Sequence, residues 1–269
     1  MRFLHSMLTN DVEALAPGAG LRAAMLTVKG KTLCELQLWC LPDAFLMEME
    51  GERRQAIFAV LNKHIVMDDV EVADLTDETR EWGVYGPEAA AALGVGELAP
   101  FTMRDVNGVN ISAVRELDMP GFHFFGERPP EGRLIGEDEW EILRVEAGRP
   151  KWGAELDEDR LILEANMDDA VSLTKGCYLG QEVVARATAR GHINRTLKGL
   201  RLDGDGAAAR GAKLSAAARE DAGQVTSSVV SPRFGAIALA YVHRSVWDEG
   251  TELTLEGGRK ARVTALPFR

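Results

Sequence analysis

The chain has 269 residues, of which 46% are hydrophobic and 27% charged, a balance typical of a globular protein and unlike a low-complexity chain. This length predicts two or three packed units. The net charge of -11 at pH 7 disfavours stable direct binding to nucleic acids and to membrane surfaces, because both present phosphates.

The sequence predicts neither a targeting signal nor a membrane span. No apolar run approaches the roughly 20 residues of a membrane span, and the opening MRFLHSMLTND lacks the layout of a signal peptide. We therefore expect a cytoplasmic protein without a membrane partner.

The cysteines and histidines are scattered. Cys34, Cys40 and Cys177 do not form the closely spaced pairs of a structural zinc site, and the five histidines show no metal-binding spacing. We expect reduced thiols and no metal site.

The first two thirds of the chain mix strand and helix patterns. Residues 24 to 50 alternate apolar and polar positions, which predicts antiparallel strands; ERRQAIFAVLNKHIV has helical spacing, and VEVADL and EWGVYG return to the strand pattern. PEAAAALG and GEDEWEILRVEAGRP predict short helices, the second ending at Gly148. This part is predicted to be α+β.

After about residue 195 the period of the apolar pattern is two residues almost throughout, as in TLKGLRLDG, GQVTSSVVS and GAIALAYVHR. The glycine- and alanine-rich DGDGAAARGAKLSAAAREDAG is interpreted as long connections around a short strand, because long structureless loops are rare in compact domains. Residues 195 to 269 are therefore predicted to form a small β-barrel or sandwich.

The most informative segment is KGCYLGQEVVAR, residues 175 to 186. Gly176 and Gly180 predict a sharply turning loop, and a helix is predicted from Gln181 to Arg190. Cys177 would precede that helix, where the helix dipole and a nearby lysine favour the thiolate. The alternative is that Cys177 is a small apolar residue packed under the loop.

Basic residues are concentrated around this cysteine and in the residues that follow it. Between residues 175 and 201 there are six basic residues and one acidic residue, a local charge of +5 in an acidic chain; the basic residues are Lys175, Arg186, Arg190, Arg195, Lys198 and Arg201. Such a stretch could bind carboxylates such as a glutamate tail, or it could be a solvated helix face.

These residues carry a family resemblance. KGCYLGQEVVAR resembles the signature of the YgfZ-type branch of the glycine-cleavage T-protein superfamily, and LTNDV, KGKTLCE, LEAN and GQVTSSVVSP resemble other spaced blocks of that superfamily. The resemblance implies a three-lobed ring with two mixed lobes and a C-terminal β-barrel around a folate site. The implied division is 1–190 for the folate-binding region, with subdomains of about 1–46 plus 120–190 and 47–119, followed by a barrel of 195–269.

The resemblance also implies a ligand and its contacts. The ligand would be tetrahydrofolate or a substituted reduced folate. Glu164 matches the T-protein glutamate that faces the pterin, where a carboxylate accepts two parallel hydrogen bonds; alternatively, it is a surface glutamate that caps the next segment. The further candidate contacts are Lys175, Tyr178, Gln181, Arg186, Arg190 and Arg195, and Cys177 is the candidate functional thiol.

One departure from the T-protein pattern affects the predicted function. Where the transferases carry paired aspartates, this chain has Cys34 and Glu35. We therefore expect a folate-binding accessory protein that supports maturation or repair of iron-sulfur enzymes, affects tRNA modification indirectly, and has iron-sulfur proteins or assembly factors as partners. The alternatives are a folate-dependent aminomethyltransferase or other one-carbon transferase, and a scaffold that retains an old folate pocket.

Overall fold

A computed structural model describes residues 1–190 and 193–269, except for the side chain of Arg190. The described chain divides into two compact units. The first comprises Met1–Arg133 and Asp168–Val183, and the second comprises Leu134–Met167 and Val184–Arg269.

The first unit begins with an antiparallel three-stranded sheet in the order β1-β2-β3. Its elements are α1 (Arg2–Met7), β1 (Gly20–Leu26), β2 (Thr32–Cys40), β3 (Phe45–Met49) and α2 (Arg54–His64). Alternate residues of β2, among them Cys34 and Leu36, pack on Ile57 and Leu61 of α2 in one apolar core. The intervening residues of β2 therefore lie on the opposite face of the sheet.

A four-stranded antiparallel sheet completes this unit in the order β4-β7-β6-β5. Its elements are β4 (Glu81–Tyr85), α3 (Ala89–Ala92), β5 (Met103–Val106), β6 (Val109–Val114) and β7 (Gly121–Phe125). Asn107 and Gly108 join β5 to β6 with positive φ angles of 55° and 84°, as a tight hairpin requires. Ile111, Phe122 and Phe124 form its buried core.

The strand predicted over VEVADL is wrong. Residues 70 to 75 form no strand or helix, although Val70 and Val72 pack against the first core. Asp74 instead pairs with Arg54 of α2, and its Oδ1 accepts a hydrogen bond of 3.1 Å from the backbone N–H of Thr76. A local aspartate turn therefore replaces the sheet pairing that the apolar alternation predicts.

The second unit contains two helices and a closed barrel in the order β10-β11-β8-β13-β12-β9. The elements are α4 (Glu137–Ala147), α5 (Gln181–Arg190), which starts in the first unit, β8 (Arg195–Leu202), β9 (Lys213–Ala216), β10 (Arg219–Ser231), β11 (Gly235–His243), β12 (Glu252–Leu255) and β13 (Lys260–Thr264). The predicted C-terminal barrel is confirmed, and the sandwich alternative is excluded. The proposed subdomain boundaries near residues 46 and 120 stay predictions.

Glycine ends α4 for a steric reason. Gly148 has φ of 70°, and its N–H bonds to the Val145 carbonyl. A Cβ at this position would lie 2.8 Å from Cβ of Leu266, so a side chain would displace the segment that packs beneath the barrel. Among the described helices, none is long and apolar enough to cross a bilayer.

Candidate functional site

Lys175 anchors the glycine-flanked loop to the N-terminal segment of the first unit. Its Nζ donates hydrogen bonds to the backbone carbonyls of His5, Leu8 and Asn10, at 2.7 Å for Leu8 and 2.9 Å for Asn10. Burial lowers the pKa of Lys175 to about 8. Because carbonyls near the end of α1 receive this cation, its donors are used inside the protein.

The loop presents Cys177 to solvent. Cys177 is exposed, whereas Cys34 and Cys40 are buried, and all three are free thiols. Gly180 has φ of 83°, and a Cβ there would lie 2.5 Å from the Thr27 carbonyl oxygen. The close approach of the loop to β1 therefore requires glycine, and this approach holds the cysteine in place.

Tyr178 and Gln181 follow Cys177 in the chain and lead into α5. The Tyr178 ring is buried and its centroid lies 5.0 Å from Nζ of Lys175, a cation-π distance. Gln181, half-buried, begins α5, and its N–H bonds to the Tyr178 carbonyl at 3.2 Å. The predicted helix from Gln181 to Arg190 is confirmed.

The three candidate arginines have different surroundings. Arg186 is exposed on α5, and the side chain of Arg190 lies outside the described residues. Arg195 begins β8, where its Nη2 donates a 2.5 Å hydrogen bond to Oδ2 of Asp221. A folate carboxylate at Arg195 would therefore have to share or displace an existing carboxylate partner.

Glu164 belongs to a short 3-10 helix, Ile162–Ala165, in the second unit. Its Oε2 accepts the Leu161 backbone N–H at 3.0 Å. Asn166, in the left-handed region with φ of 58°, donates to the Leu197 carbonyl at 2.7 Å. Thr196 in turn donates to Oδ1 of Asn166 at 2.7 Å. The Glu164 turn is thus fixed to β8, and its half-buried carboxylate caps its own short helix at Leu161, not the next segment as the alternative interpretation predicted.

A buried polar network in the first unit was not predicted from the sequence. Arg22 of β1 is an ion-pair partner of Glu35 at 3.3 Å and of Asp169 at 3.1 Å. Asn10 bridges the backbones of these segments, donating 2.7 Å and 2.9 Å hydrogen bonds to the carbonyls of Arg22 and Asp169. The alternating polar residues of LCELQLW were a signal for a polar face, but alternation does not say that the face is buried.

This network clarifies the Cys34 and Glu35 positions. The two are successive residues of β2, so they point to opposite faces. Cys34 lies in the apolar core, where burial raises the pKa of its thiol well above its usual range. Glu35 is buried on the polar face beside Arg22. Only Glu35 of the pair therefore faces the charged network.

Comparisons with known proteins identify the family. The profile of the GCVT N-terminal domain matches residues 1–117, and that of the glycine cleavage T-protein C-terminal barrel domain matches residues 195–269. An aminomethyltransferase of Rubrobacter xylanophilus is 32% identical over 99% of this chain and 77% of its own length. A chloroplastic protein of Arabidopsis thaliana that carries a transferase name is 27% identical over 99% of this chain and 66% of its own length.

The fold agrees with these matches. The glycine cleavage system aminomethyltransferase T of Bartonella henselae superposes with a TM-score of 0.88 at 25% identity, covering all of this chain and 81% of its own. The chain belongs to the glycine cleavage T-protein family. Its predicted fold class, α+β with the barrel of that family, is confirmed.

The structure groups the predicted site residues by unit. Lys175, Cys177 and Tyr178 share one loop in the first unit, and the second unit places the Glu164 turn beside the start of β8, which Arg195 begins. The assignment of these residues to a folate site stays a prediction.

Proposed function

We propose that this protein binds tetrahydrofolate or a substituted reduced folate and supports the maturation or repair of iron-sulfur enzymes, with an indirect effect on tRNA modification. Membership of the T-protein family supports a folate ligand. The KGCYLGQEVVAR signature supports the YgfZ-type branch within that family. Iron-sulfur proteins or their assembly factors would be the partners.

The observation that carries this proposal is the arrangement of Cys34 and Glu35. A transferase needs a carboxylate that can organise the reacting groups, whereas Cys34 is sealed in the core and Glu35 is engaged by Arg22 at 3.3 Å. A carboxylate held in a buried ion pair is not free to turn toward a reacting group. This arrangement favours folate binding without efficient aminomethyl transfer.

Recognition of the pterin is assigned to Glu164. Its turn is fixed to β8, and one oxygen is held by the Leu161 N–H. Among the described residues no further donor hydrogen-bonds this carboxylate, so Oε1 is available to a pterin amine or ring N–H. Arg186, Arg190 and Arg195 are the proposed contacts of the glutamate tail.

The second candidate is an aminomethyltransferase, which the names of several relatives favour. Isothermal calorimetry with tetrahydrofolate, paired with an assay of aminomethyl transfer from a lipoyl carrier protein, separates the two functions. We expect binding without turnover, with an active T-protein as the positive control. Turnover at a rate comparable to that control would establish the transferase, and absence of folate binding would overturn both candidates.

The iron-sulfur role needs a separate test. Cells that lack their own factor of this type would be supplied with this chain, and the activity of their iron-sulfur enzymes would be measured. We expect restored activity, together with no tRNA retention by the purified protein at physiological salt, since its net charge is -11. Folate binding without any restoration would reduce the proposal to its folate part.

A further inference from the structure

A second buried charged group lies at the other end of the polar face in the first unit. Glu48 of β3, Glu81 of β4 and His123 of β7 come together from three strands. Nδ1 of His123 lies 3.2 Å from Oε2 of Glu48 and 2.6 Å from Oε1 of Glu81. The three positions are far apart in sequence, so their spacing gave no metal-binding pattern.

The contacts of the other ring nitrogen of His123, Nε2, determine which nitrogen carries the proton when the ring is neutral. Its Nε2 lies 2.8 Å from the Tyr85 hydroxyl oxygen, and Tyr85 donates its single proton to Oε2 of Glu116 at 2.5 Å. Gln37 donates to the second oxygen of Glu116 at 3.2 Å. Because the tyrosine proton is already engaged, Nε2 must be the donor to Tyr85. The neutral ring therefore has its lone pair on Nδ1.

Nδ1 faces carboxylate oxygens. Two carboxylates and Nδ1 at these distances need a positive charge between them, which is either a proton on Nδ1 or a bound cation. Oε1 of Glu48 lies near the Trp39 indole N–H but makes no hydrogen bond of normal geometry, although the Glu48 side chain is only 5% exposed.

We propose that Glu48, Glu81 and His123 form a binding site for a divalent metal ion such as Zn²⁺ or Mn²⁺. Carboxylate oxygens and an imidazole nitrogen are the donors that these ions accept. The hydrogen bond from Nε2 toward Tyr85 and Glu116 is the outer contact that orients a metal-bound histidine. This inference is independent of the folate proposal.

One of the two distances to Nδ1 already suits an ion. Ligand distances of roughly 2.0 to 2.2 Å place the donor atoms of a tetrahedral site roughly 3.3 to 3.6 Å apart, slightly more than the 3.2 Å between His123 and Glu48. Glu81, now 2.6 Å from Nδ1, must move away from the ring, and its side chain is 37% exposed. Glu48 and Glu81 also line a cavity of about 840 Å³, which offers the ion an entry path and leaves a coordination position for water or a ligand.

The test uses the full chain carrying Cys177→Ser, so that the exposed thiol cannot bind zinc. Equilibrium dialysis with Zn²⁺ and electron paramagnetic resonance with Mn²⁺ are expected to show one ion per chain. Glu48→Gln and His123→Asn should abolish this ion, and Glu116→Gln should weaken it by roughly 10- to 100-fold, the usual effect of losing an outer contact. The exposed Glu88→Gln is the matched control and should bind as the parent does.

A second measurement uses no substitution in the site, so it does not depend on whether a variant folds. The ¹⁵N resonances of His123 report directly on Nδ1, and saturating Zn²⁺ should shift Nδ1 to a metal-bound value while Nε2 stays protonated. The proposal would be overturned if Nδ1 kept a proton at saturating Zn²⁺, since the group would then be an imidazolium held by carboxylates. Unchanged stoichiometry in a folded Glu48→Gln protein would also overturn it.

Discussion

The two units differ in how completely their buried polar side chains are hydrogen-bonded. In the second unit, the Arg144 guanidinium is 2% exposed and donates to Glu155 at 2.9 Å, to Ser227 at 2.7 Å and to the Arg149 carbonyl at 2.8 Å. In the first unit, Oε1 of Gln37 and Oε1 of Glu48 have no hydrogen-bond partner. Among the described residues, all buried side-chain polar atoms without a hydrogen-bond partner lie in the first unit.

This difference separates a structural network from a candidate ligand-binding one. Glu155 is fully buried, yet both of its oxygens are bonded, one to Ser227 at 2.7 Å and the other to Arg144 and the Lys151 N–H. A fully satisfied network stabilises one conformation. Unsatisfied buried groups cost stability, and each is a candidate for completion by a ligand or an ion. The polar face of β1-β2-β3 is therefore a candidate ion-binding surface, separate from the folate contacts proposed at Glu164.

The largest expected effect is a loss of stability when the fully bonded network of the second unit is broken. Arg144→Met leaves Glu155 buried without its cation, and losing one partner of a buried pair costs about 3 to 5 kcal/mol of unfolding free energy. Urea denaturation followed by circular dichroism measures this loss. The exposed Arg128→Met is the control and should change the free energy by less than about 0.5 kcal/mol.

The matched change in the first unit is Glu48→Gln. Because a glutamine amide can keep a hydrogen bond to Nδ1 of His123, and Oε1 makes no bond that could be lost, this change should alter the metal-free unfolding free energy by only about 1 kcal/mol. Equal losses in Arg144→Met and Glu48→Gln would contradict the distinction between the two networks.

The next effect concerns ligand affinity. Glu164→Ala should weaken tetrahydrofolate binding by about 2 to 3 kcal/mol, the scale of charged hydrogen bonds. Because Glu164 also accepts the Leu161 N–H, the Ala variant should in addition have a lower free energy of unfolding. Glu164→Gln can keep this hydrogen bond through its amide oxygen and is therefore the matched control. Calorimetry decides the point, and unchanged affinity in the folded Ala variant would remove Glu164 from the site.

Much of this fold could be predicted because its signals are local. The alternation in β2 and the glycine after α4 correctly predicted a strand and a helix end. The residues around Cys177 were found through a contiguous motif. The Arg22 network and the His123 cluster could not be predicted in this way, because their members come from separate strands. Strand pairing alone brings them together, and the sequence pattern does not specify that pairing.

Lys175 gives a smaller effect with a defined pH dependence. Its three bonds to carbonyls predict that Lys175→Met costs about 1 to 3 kcal/mol at pH 7. Its pKa of about 8 in the folded protein lies below that of the unfolded chain, about 10.4. The unfolded state therefore binds more protons between these values, so this group makes stability rise with pH there and adds no slope below pH 8.

The measurement is the difference in unfolding free energy between wild type and Lys175→Met across pH 7 to 10. That difference should grow above pH 8 in favour of the wild type, because the variant lacks the titrating group. The matched control is the exposed Lys63→Met, for which the difference should be flat. A falling difference would show that the folded state favours the charged ammonium more than water does.

The smallest expected effect on stability, and the sharpest on function, is at Cys177. Its thiol is exposed on a loop that Gly180 holds against β1, whereas Cys34 and Cys40 are buried and burial raises the pKa of Cys34. Thiolate formation and access both control alkylation, so iodoacetamide at neutral pH should modify Cys177 well before the other two, as mass spectrometry of the tryptic peptides would show.

Cys177→Ala should change the unfolding free energy by less than about 0.5 kcal/mol, since an exposed side chain buries little surface. The same variant should bind folate normally and fail to restore iron-sulfur enzyme activity in cells that lack their own factor, while Cys40→Ala should restore it. Full restoration by Cys177→Ala would leave the folate pocket as the functional site and reduce this thiol to a feature of the loop.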